Sequence, residues 1–300
     1  MAISPLRLAL CGVSLGVLVG AADWPQFRGP GGQGVAQAKG LPTTWSETEN
    51  LAWKTKMPGA GASSPIVVGK RVIVTCYSDH DPQNMQQLRL HVVCVNRADG
   101  KIVWDRELEP SLPEKNKVRD HGYSGPTPAS DGTHIYAFFG KSGVVKLDLA
   151  GKVLWRSSVG SGLHGWGCGT SPVLYKNLVI VNAAVESRSL VALDKQSGKE
   201  VWRAPGMNSS WNTPHLVSLP GGKQELVVAV KNRILAFDPQ TGKALWNSEG
   251  IHDYVCPSIV SKDGVVYAIG GRKSQTVAVK AGGRGDVSAS HGLWRASVGA

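Results

Sequence analysis

The segments VALDKQSGKEVW, residues 191–202, and LAFDPQTGKALW, residues 235–246, are two copies of one phrase. Each places an Asp eight residues before a Trp and a Gly-Lys pair four residues ahead of the same Trp. With its weaker copies, the phrase sets tryptophans at Trp53, Trp104, Trp155, Trp202, Trp246 and Trp294, at intervals of 51, 51, 47, 44 and 48 residues. A chain that repeats at such a spacing folds as a series of like units, because one unit alone cannot cover its own apolar face. A second mark alternates with the first, a Pro after a small residue or Cys: Ser64-Pro65, Thr127-Pro128, Ser171-Pro172, Thr213-Pro214 and Cys256-Pro257. Spacing in the forties belongs to four-stranded propeller blades or to helical pairs.

The segments between the marks decide which. PIVVGKRVIVTCY, HIYAFFGKSGVVKLDL, PVLYKNLVIVNAAV and GVVYAIGGRKSQTVAVK are rich in Val, Ile and Tyr and are broken at short intervals by Gly, Asn or Lys. Such runs are strands and turns, and no long helical period competes. Each unit reads as three strands, a Gly-Lys turn and a fourth strand carrying the Trp. The fold class expected is therefore all-β, a β-propeller of four-stranded antiparallel blades with Trp-containing outer strands. Five modules are complete, ending near residues 104, 155, 202, 246 and 294, with partial ones beside them. Gly100, Gly151, Gly198 and Gly242 are expected at positive φ in tight hairpins, with an upstream Asp or Asn bonding its own backbone. Trp104, Trp155, Trp202, Trp246 and Trp294 are the expected structural anchors. Burying one indole removes about 150–250 Å² from water, roughly 4–6 kcal/mol before entropy is counted.

Composition narrows the class. Three hundred residues at 42% hydrophobic content suffice for one large all-β domain or two ordinary ones. The formal charge of +11 resides largely in turns such as SGKE, TGKA and DGKI, and no Lys/Arg run with interleaved aromatics points to nucleic acid. Residues 1–22, MAISPLRLALCGVSLGVLVGAA, combine a cationic Arg7, a short apolar stretch and small residues before the expected cleavage at Ala22. This reads as a secretory signal peptide, too short to span a membrane comfortably. The expectation is a periplasmic or secreted monomer with no integral membrane segment after cleavage. Four cysteines remain: Cys76, Cys94, Cys168 and Cys256. Cys76 and Cys94 could share a hairpin disulfide, and buried free thiols are the favoured state for all four.

At ALDKQSGKEVW and AFDPQTGKALW the chain resembles the repeat of PQQ-binding-like β-propellers, the superfamily of quinoprotein dehydrogenases and of the propeller lipoprotein of the outer-membrane β-barrel assembly machinery. DWPQFRGPGGQGV, LPTTWSETENLAWKTKMPG and GGRGDVSASHGLW are similar to an exported branch common in planctomycete-type bacteria. The resemblance covers residues 23–300. It implies a ring of about eight blades, of which these modules would be an incomplete set. A shorter closed ring, its last blade completed by the segment around Trp45 to Trp53, is the alternative.

Antiparallel strands assign every loop to a face. The Gly-Lys turns share one face. The connections from each Trp strand to the next Pro-marked strand lie on the other, with the loops between second and third strands. RDHGYSGPTP, GLHGWGCGTSP, NSSWNTP and HDYVCP thus bring His121, Tyr123, His164, Trp166, Asn208, Trp211, Asn212, His252, Asp253 and Tyr254 to one mouth of the channel. Polar and aromatic groups at a concave mouth are the makings of a small-molecule or glycan site. The alternative is that they satisfy backbone groups at strand starts. No metal site is expected, since His121, His164 and His252 sit on different blades. The RGD at Arg284 to Asp286 is too short a motif to imply adhesion. GPGGQGVAQAKG lacks the Gly-Lys-Ser/Thr ending of a phosphate loop.

The resemblance also frames the activity. A quinoprotein dehydrogenase implies a catalytic Asp, a divalent ion held by carboxylate and amide oxygens, and an aromatic floor beneath the quinone. Many such enzymes carry adjacent cysteines, and this chain has none. Asp253 could serve as the base and Trp166 or Trp211 as the floor. No carboxylate and amide pair falls at matching positions, so no catalytic residue is assigned. The favoured function is a non-catalytic, cofactor-free scaffold that binds a protein partner, an envelope glycan or a small ligand at the mouth. The alternative is a quinoprotein oxidoreductase acting on an alcohol or sugar with PQQ and calcium.

Overall fold

The Val, Ile and Tyr runs form strands, and the Gly, Asn and Asp positions between them turn the chain. A computed structural model describes residues 23–119 and 121–297. The predicted signal peptide, residues 1–22, lies outside the described residues. The first module holds β1 (Ile66–Val68), β2 (Arg71–Ser78), β3 (Arg89–Asn96) and β4 (Ile102–Leu108). The second holds β5 (Ala129–Ser130), β6 (His134–Phe138), β7 (Val144–Asp148) and β8 (Val153–Ser157). The third holds β9 (Val173–Tyr175), β10 (Leu178–Ala183), β11 (Ser189–Asp194) and β12 (Glu200–Pro205). The fourth holds β13 (His215–Ser218), β14 (Gln224–Val230), β15 (Arg233–Phe237) and β16 (Ala244–Glu249). The fifth holds β17 (Val260–Lys262), β18 (Val265–Gly270), β19 (Gln275–Lys280), β20 (Gly285–Asp286), the short helix α1 (Ser288–His291) and β21 (Gly292–Ser297). Each sheet is an antiparallel meander in chain order, except that β20 leaves its module and pairs in parallel with β16. The sheets are the blades of a β-propeller. No described helix is long and apolar enough to cross a membrane.

The core lies between sheets. Ile66, Ile73 and Val92 of the first module meet Ile135, Phe139 and Val145 of the second, and the same sandwich recurs between each following pair. Middle strands therefore lose the alternation of a half-solvated sheet: all six residues of β10 are buried. The Trp strands β8 and β16 keep alternation because one of their faces is open to solvent.

Three devices join the modules. The indoles of Trp53, Trp104, Trp155 and Trp202 lie flat on Gly100, Gly151, Gly198 and Gly242 of the next module, where an added Cβ would come within 2.5–2.7 Å of the ring. These glycines have φ of 73°, 84°, 71° and 69°, and each upstream Asn96, Asp148, Asp194 or Asp238 accepts backbone N–H groups of its own turn. Glycine is thus required twice, by the backbone and by the indole. Three of the rings also donate Nε1–H across the gap, Trp53 to Arg97 O, Trp104 to Leu149 O and Trp155 to Lys195 O, at 2.9, 3.1 and 3.1 Å. The second device is a β-bulge immediately before each Trp, where Val103, Leu154, Val201, Leu245 and Leu293 have no partner on the third strand. A bulge re-aims the side chain that follows it, here the indole.

The third device is a relay of hydroxyls. The N–H groups of Ser64, Thr127, Ser171 and Thr213 donate to the side-chain oxygens of Thr127, Ser171, Thr213 and Ser258, each at 3.0 Å. Each residue stands two positions ahead of its first strand. In the fifth module that residue is Ser258, so the Pro mark at Cys256-Pro257 is out of register by two.

Two anchors depart from expectation. Trp246 meets no Gly-Lys turn: β20 lies along it, and its Nε1–H goes to Glu225 Oε2 at 2.6 Å. Trp294 is 48% exposed, because among the described residues no following turn covers its face. All four described cysteines are free thiols; Cys76 and Cys94 are buried, whereas Cys256 is exposed because it lies in the loop ahead of Ser258.

Candidate functional site

The connections leading into β9, β13 and β17 place Trp166, Trp211 and Tyr254 in one cluster. The Trp166 ring centroid lies 4.9 Å from that of Trp211, tilted at 49°, and 4.9 Å from that of Tyr254 in an edge-on arrangement. His164 adds a ring 5.0 Å from Trp211 and 5.7 Å from Trp166. Backbone bonds hold the cluster: Trp211 Nε1–H donates to Gly167 O, and Trp166 N–H to His164 Nδ1, both at 3.1 Å. Two guanidinium groups cover it, Arg119 over Trp166 at 5.8 Å and Arg272 over Tyr254 at 5.0 Å. The aromatic rings of Trp166, Trp211 and Tyr254 stay half-buried, with one side open to solvent.

The remaining mouth residues divide. Tyr123 forms a second ring group with Tyr77 and His80, and its hydroxyl donates to Lys115 O at 2.5 Å. Burial, with Glu114 nearby, pushes the Tyr123 hydroxyl up to about 12. Asn212 is fully buried: its Nδ2 donates to Ala229 O at 2.6 Å and its Oδ1 accepts from Ala229 N–H at 3.2 Å. Asp253 accepts the N–H groups of Arg272 and Tyr254 at 3.1 and 2.8 Å and pairs with the Arg272 guanidinium at 3.3 Å. Those bonds, the Arg272 N–H first, hold its carboxyl below the usual range. His252 stands apart, exposed and paired with Glu249 at 3.2 Å, and Asn208 is an exposed loop residue. His121 is half-buried beside Gly125 and Gly167.

Sequence reasoning passed over a carboxylate pair on this face. Glu186 and Glu114 border a cavity of about 30 Å³ beside Cys168 and Lys141. Glu186 is 5% exposed, and its Oε2 has no hydrogen-bond partner among the described residues. Burial pushes Glu186 to about 7, and also Glu114 to about 7 against the opposing pull of Lys141. The Cys168 thiol rises with them, by burial and then by Glu186. The rule that loops between second and third strands share this face already places Glu186 here, since it follows β10.

These residues do not fit a quinone and its ion. The amide of Asn212 and the carboxylate of Asp253 are spent on the fold, and the cavity beside Glu186 holds little more than a water molecule, far below the 300 Å³ at which small-molecule pockets begin. Among the described residues no three His, Cys, Asp or Glu side chains group as metal ligands.

A wider concavity lies elsewhere. A groove of about 1340 Å³ runs along the innermost strands β9, β13 and β17 and opens among the turns of the Gly-Lys face. The segment from Trp24 to Gln33 borders it. Trp24 bridges Val67 with two 2.9 Å bonds, Arg28 Nη1 reaches Ser258 O at 3.4 Å, and Gln33 meets His215 at 3.4 Å. His215, bonded to Ser261 at 2.9 Å, is held down to about 4 by burial and by Arg28.

Comparison with known proteins fits this architecture. The family described as outer membrane protein assembly factor BamB matches over residues 89–297. Among solved structures, quinohemoprotein alcohol dehydrogenase from Comamonas testosteroni is similar with TM-score 0.63 at 14% identity, over 94% of this chain and 50% of that one. BamB from Moraxella catarrhalis is similar with TM-score 0.51 at 15% identity, over 79% of this chain and 63% of that one. A europium-containing methanol dehydrogenase gives TM-score 0.52 at 14% identity, over 77% and 51%. At these identities the likeness is one of fold, and the chain spans between half and two thirds of the length of each. No curated protein sequence matches it. The match over residues 89–297, together with the repeated four-stranded blades, shows that this chain belongs to the PQQ-like β-propeller family typified by the outer membrane protein assembly factor BamB.

Proposed function

We propose that the chain is an exported, non-catalytic docking scaffold that grips a partner protein with the loop face of its blades. The observation that carries this reading is the half-buried cluster of Trp166, Trp211 and Tyr254 under the guanidinium groups of Arg119 and Arg272. Trp, Tyr and Arg are the side chains that dominate the energetics of protein interfaces. Rigid rings offer large contact area at low entropic cost, and the indole bond of Trp211 to Gly167 O, with the packing of Trp166 against Trp211 and Tyr254, fixes them before a partner arrives. The engaged state of Asp253 and Asn212 supports a binding role over chemistry at this mouth. Kinship with an outer membrane protein assembly factor supports a polypeptide as the partner, and export through the residue 1–22 segment would bring the scaffold to the envelope.

The test is a fluorescence titration of the purified protein with an unfolded outer-membrane β-barrel polypeptide held soluble in dilute urea. Trp166→Ala and Trp211→Ala are expected to weaken binding about tenfold or more each, as truncation of interface anchors does. Saturable binding of PQQ with calcium, accompanied by dye-linked alcohol oxidation, would contradict the scaffold reading.

A further inference from the structure

We propose that the groove along the innermost strands of the third to fifth modules is a second binding site, on the face opposite the aromatic cluster, and that it takes an acidic peptide segment in extended conformation. Charge gives the first argument. Arg28, Lys176, Lys223, Lys262 and Arg284 line the groove, against three carboxylates, Glu225, Asp238 and Asp263. The five cations exceed the three carboxylates by two, and two of the carboxylates are tied into the fold. Glu225 is 3% exposed and accepts the Trp246 Nε1–H at 2.6 Å, the Gly282 N–H at 3.1 Å and Arg284 Nη1 at 3.0 Å. Asp238 accepts the N–H groups of Gln240 and Thr241 at 2.8 and 2.9 Å within its own turn. Among the described residues no carboxylate pairs with Lys176, Lys223, Lys262 or Arg28, so the groove presents uncompensated positive charge. Such a field, focused by a concave wall, selects anionic partners.

Size and edge chemistry give the second argument. At about 1340 Å³ the groove exceeds the pockets of about 300–1,000 Å³ that enclose small molecules, which favours a chain segment. Its walls include three strand edges, because among the described residues β9, β13 and β17 each pair with one neighbouring strand. An unpaired edge is a template for main-chain hydrogen bonds. The chain itself uses the equivalent edges of the first two modules in this way. Trp24 exchanges two 2.9 Å bonds with Val67 on β1, and Pro25 O accepts the Ser130 N–H on β5 at 2.8 Å. An acidic segment laid along β9, β13 and β17 would continue that pattern. Its alternate carboxylates would meet the turn lysines, and its apolar side chains would meet the half-buried Tyr175 and Leu216.

The probe is a fluorescein-labelled decapeptide of alternating Glu and Val, followed by anisotropy with the full mature chain. Expected are saturable binding, weakening of about tenfold or more in the K176E/K223E double variant, and a further loss with Lys262→Glu, because rim charges control encounter and specificity. Lys117→Glu on the opposite face, and Trp166→Ala, are expected to leave binding unchanged; the latter separates this site from the aromatic cluster. An unaltered thermal midpoint for the lysine variants confirms their folding. An N-methylated copy of the peptide, which keeps its charge but cannot pair with a strand edge, is expected to bind at least tenfold more weakly, by roughly the same logic of lost main-chain bonds. Equal binding of the N-methylated peptide, full competition by inorganic triphosphate at equal concentration, or charge reversal without effect would each overturn the proposal.

Discussion

A tryptophan that recurs in sequence does not carry the same energy at every copy. Trp246 is 2% exposed and its indole N–H satisfies the buried Glu225 carboxylate, so Trp246→Ala is expected to cost about 3–5 kcal/mol in a urea denaturation series. Trp294, 48% exposed, is expected to cost under about 1 kcal/mol when truncated, as residues outside the core do. Titration separates other single residues. Glu186 and Glu114, raised from 4.5 to about 7, hold protons that the unfolded chain releases, so stability falls as pH rises from 4.5 through 7. His215 works in the other sense: lowered from 6.5 to about 4, it stays neutral where the unfolded chain protonates, so stability is lost as pH falls from 6.5 to 4. Thermal midpoints across the range above pH 6.5 isolate the carboxyl groups. Glu186→Gln is expected to flatten the fall there, and His215→Gln to leave it intact.

At the scale of the element, the strands were legible because Val, Ile and Tyr runs end at Gly, Asn or Asp turns, and the turn glycines at 100, 151, 198 and 242 adopt the positive φ that reading requires. The Ser-Pro and Thr-Pro marks were legible as a rhythm, but their cause was not. The hydroxyl of each joins one module to the next, and Pro only accompanies it, which is why Cys256-Pro257 misled and Ser258 holds the position. Thr127→Val keeps the shape and leaves the Ser64 N–H without its acceptor. It is expected to cost about 0.5–1.5 kcal/mol, the net worth of one hydrogen bond, with most of the loss restored in Thr127→Ser. Equal stability of both variants in urea would remove the relay from the forces joining the first two blades. The bulge before each Trp left no composition signal, since Val103, Leu154, Val201 and Leu293 look like ordinary strand residues and are in fact exposed at 43–55%.

At the scale of the molecule, loop assignment by strand parity was enough to gather His164, Trp166, Trp211 and Tyr254, because antiparallel meanders fix which end of a blade a loop occupies. It could not tell which residues would turn inward and bond the fold, as Asn212 and Asp253 do. Nor could it find the groove, since Lys176, Lys223 and Lys262 each resemble a solvated turn residue and converge only once the modules stand side by side. Both binding proposals depend on that radial arrangement, and the arrangement depends on each indole lying on the next module's glycine. A double-mutant cycle of Trp104→Ala and Gly151→Ala reads this contact directly. A Cβ at Gly151 would stand 2.7 Å from the Trp104 ring in addition to straining a φ of 84°. With the indole present, Gly151→Ala should therefore cost well over the roughly 1 kcal/mol of backbone strain alone, and with Trp104→Ala it should cost little more than that. Radial docking predicts a coupling above about 1 kcal/mol; additivity within about 0.5 kcal/mol would contradict it.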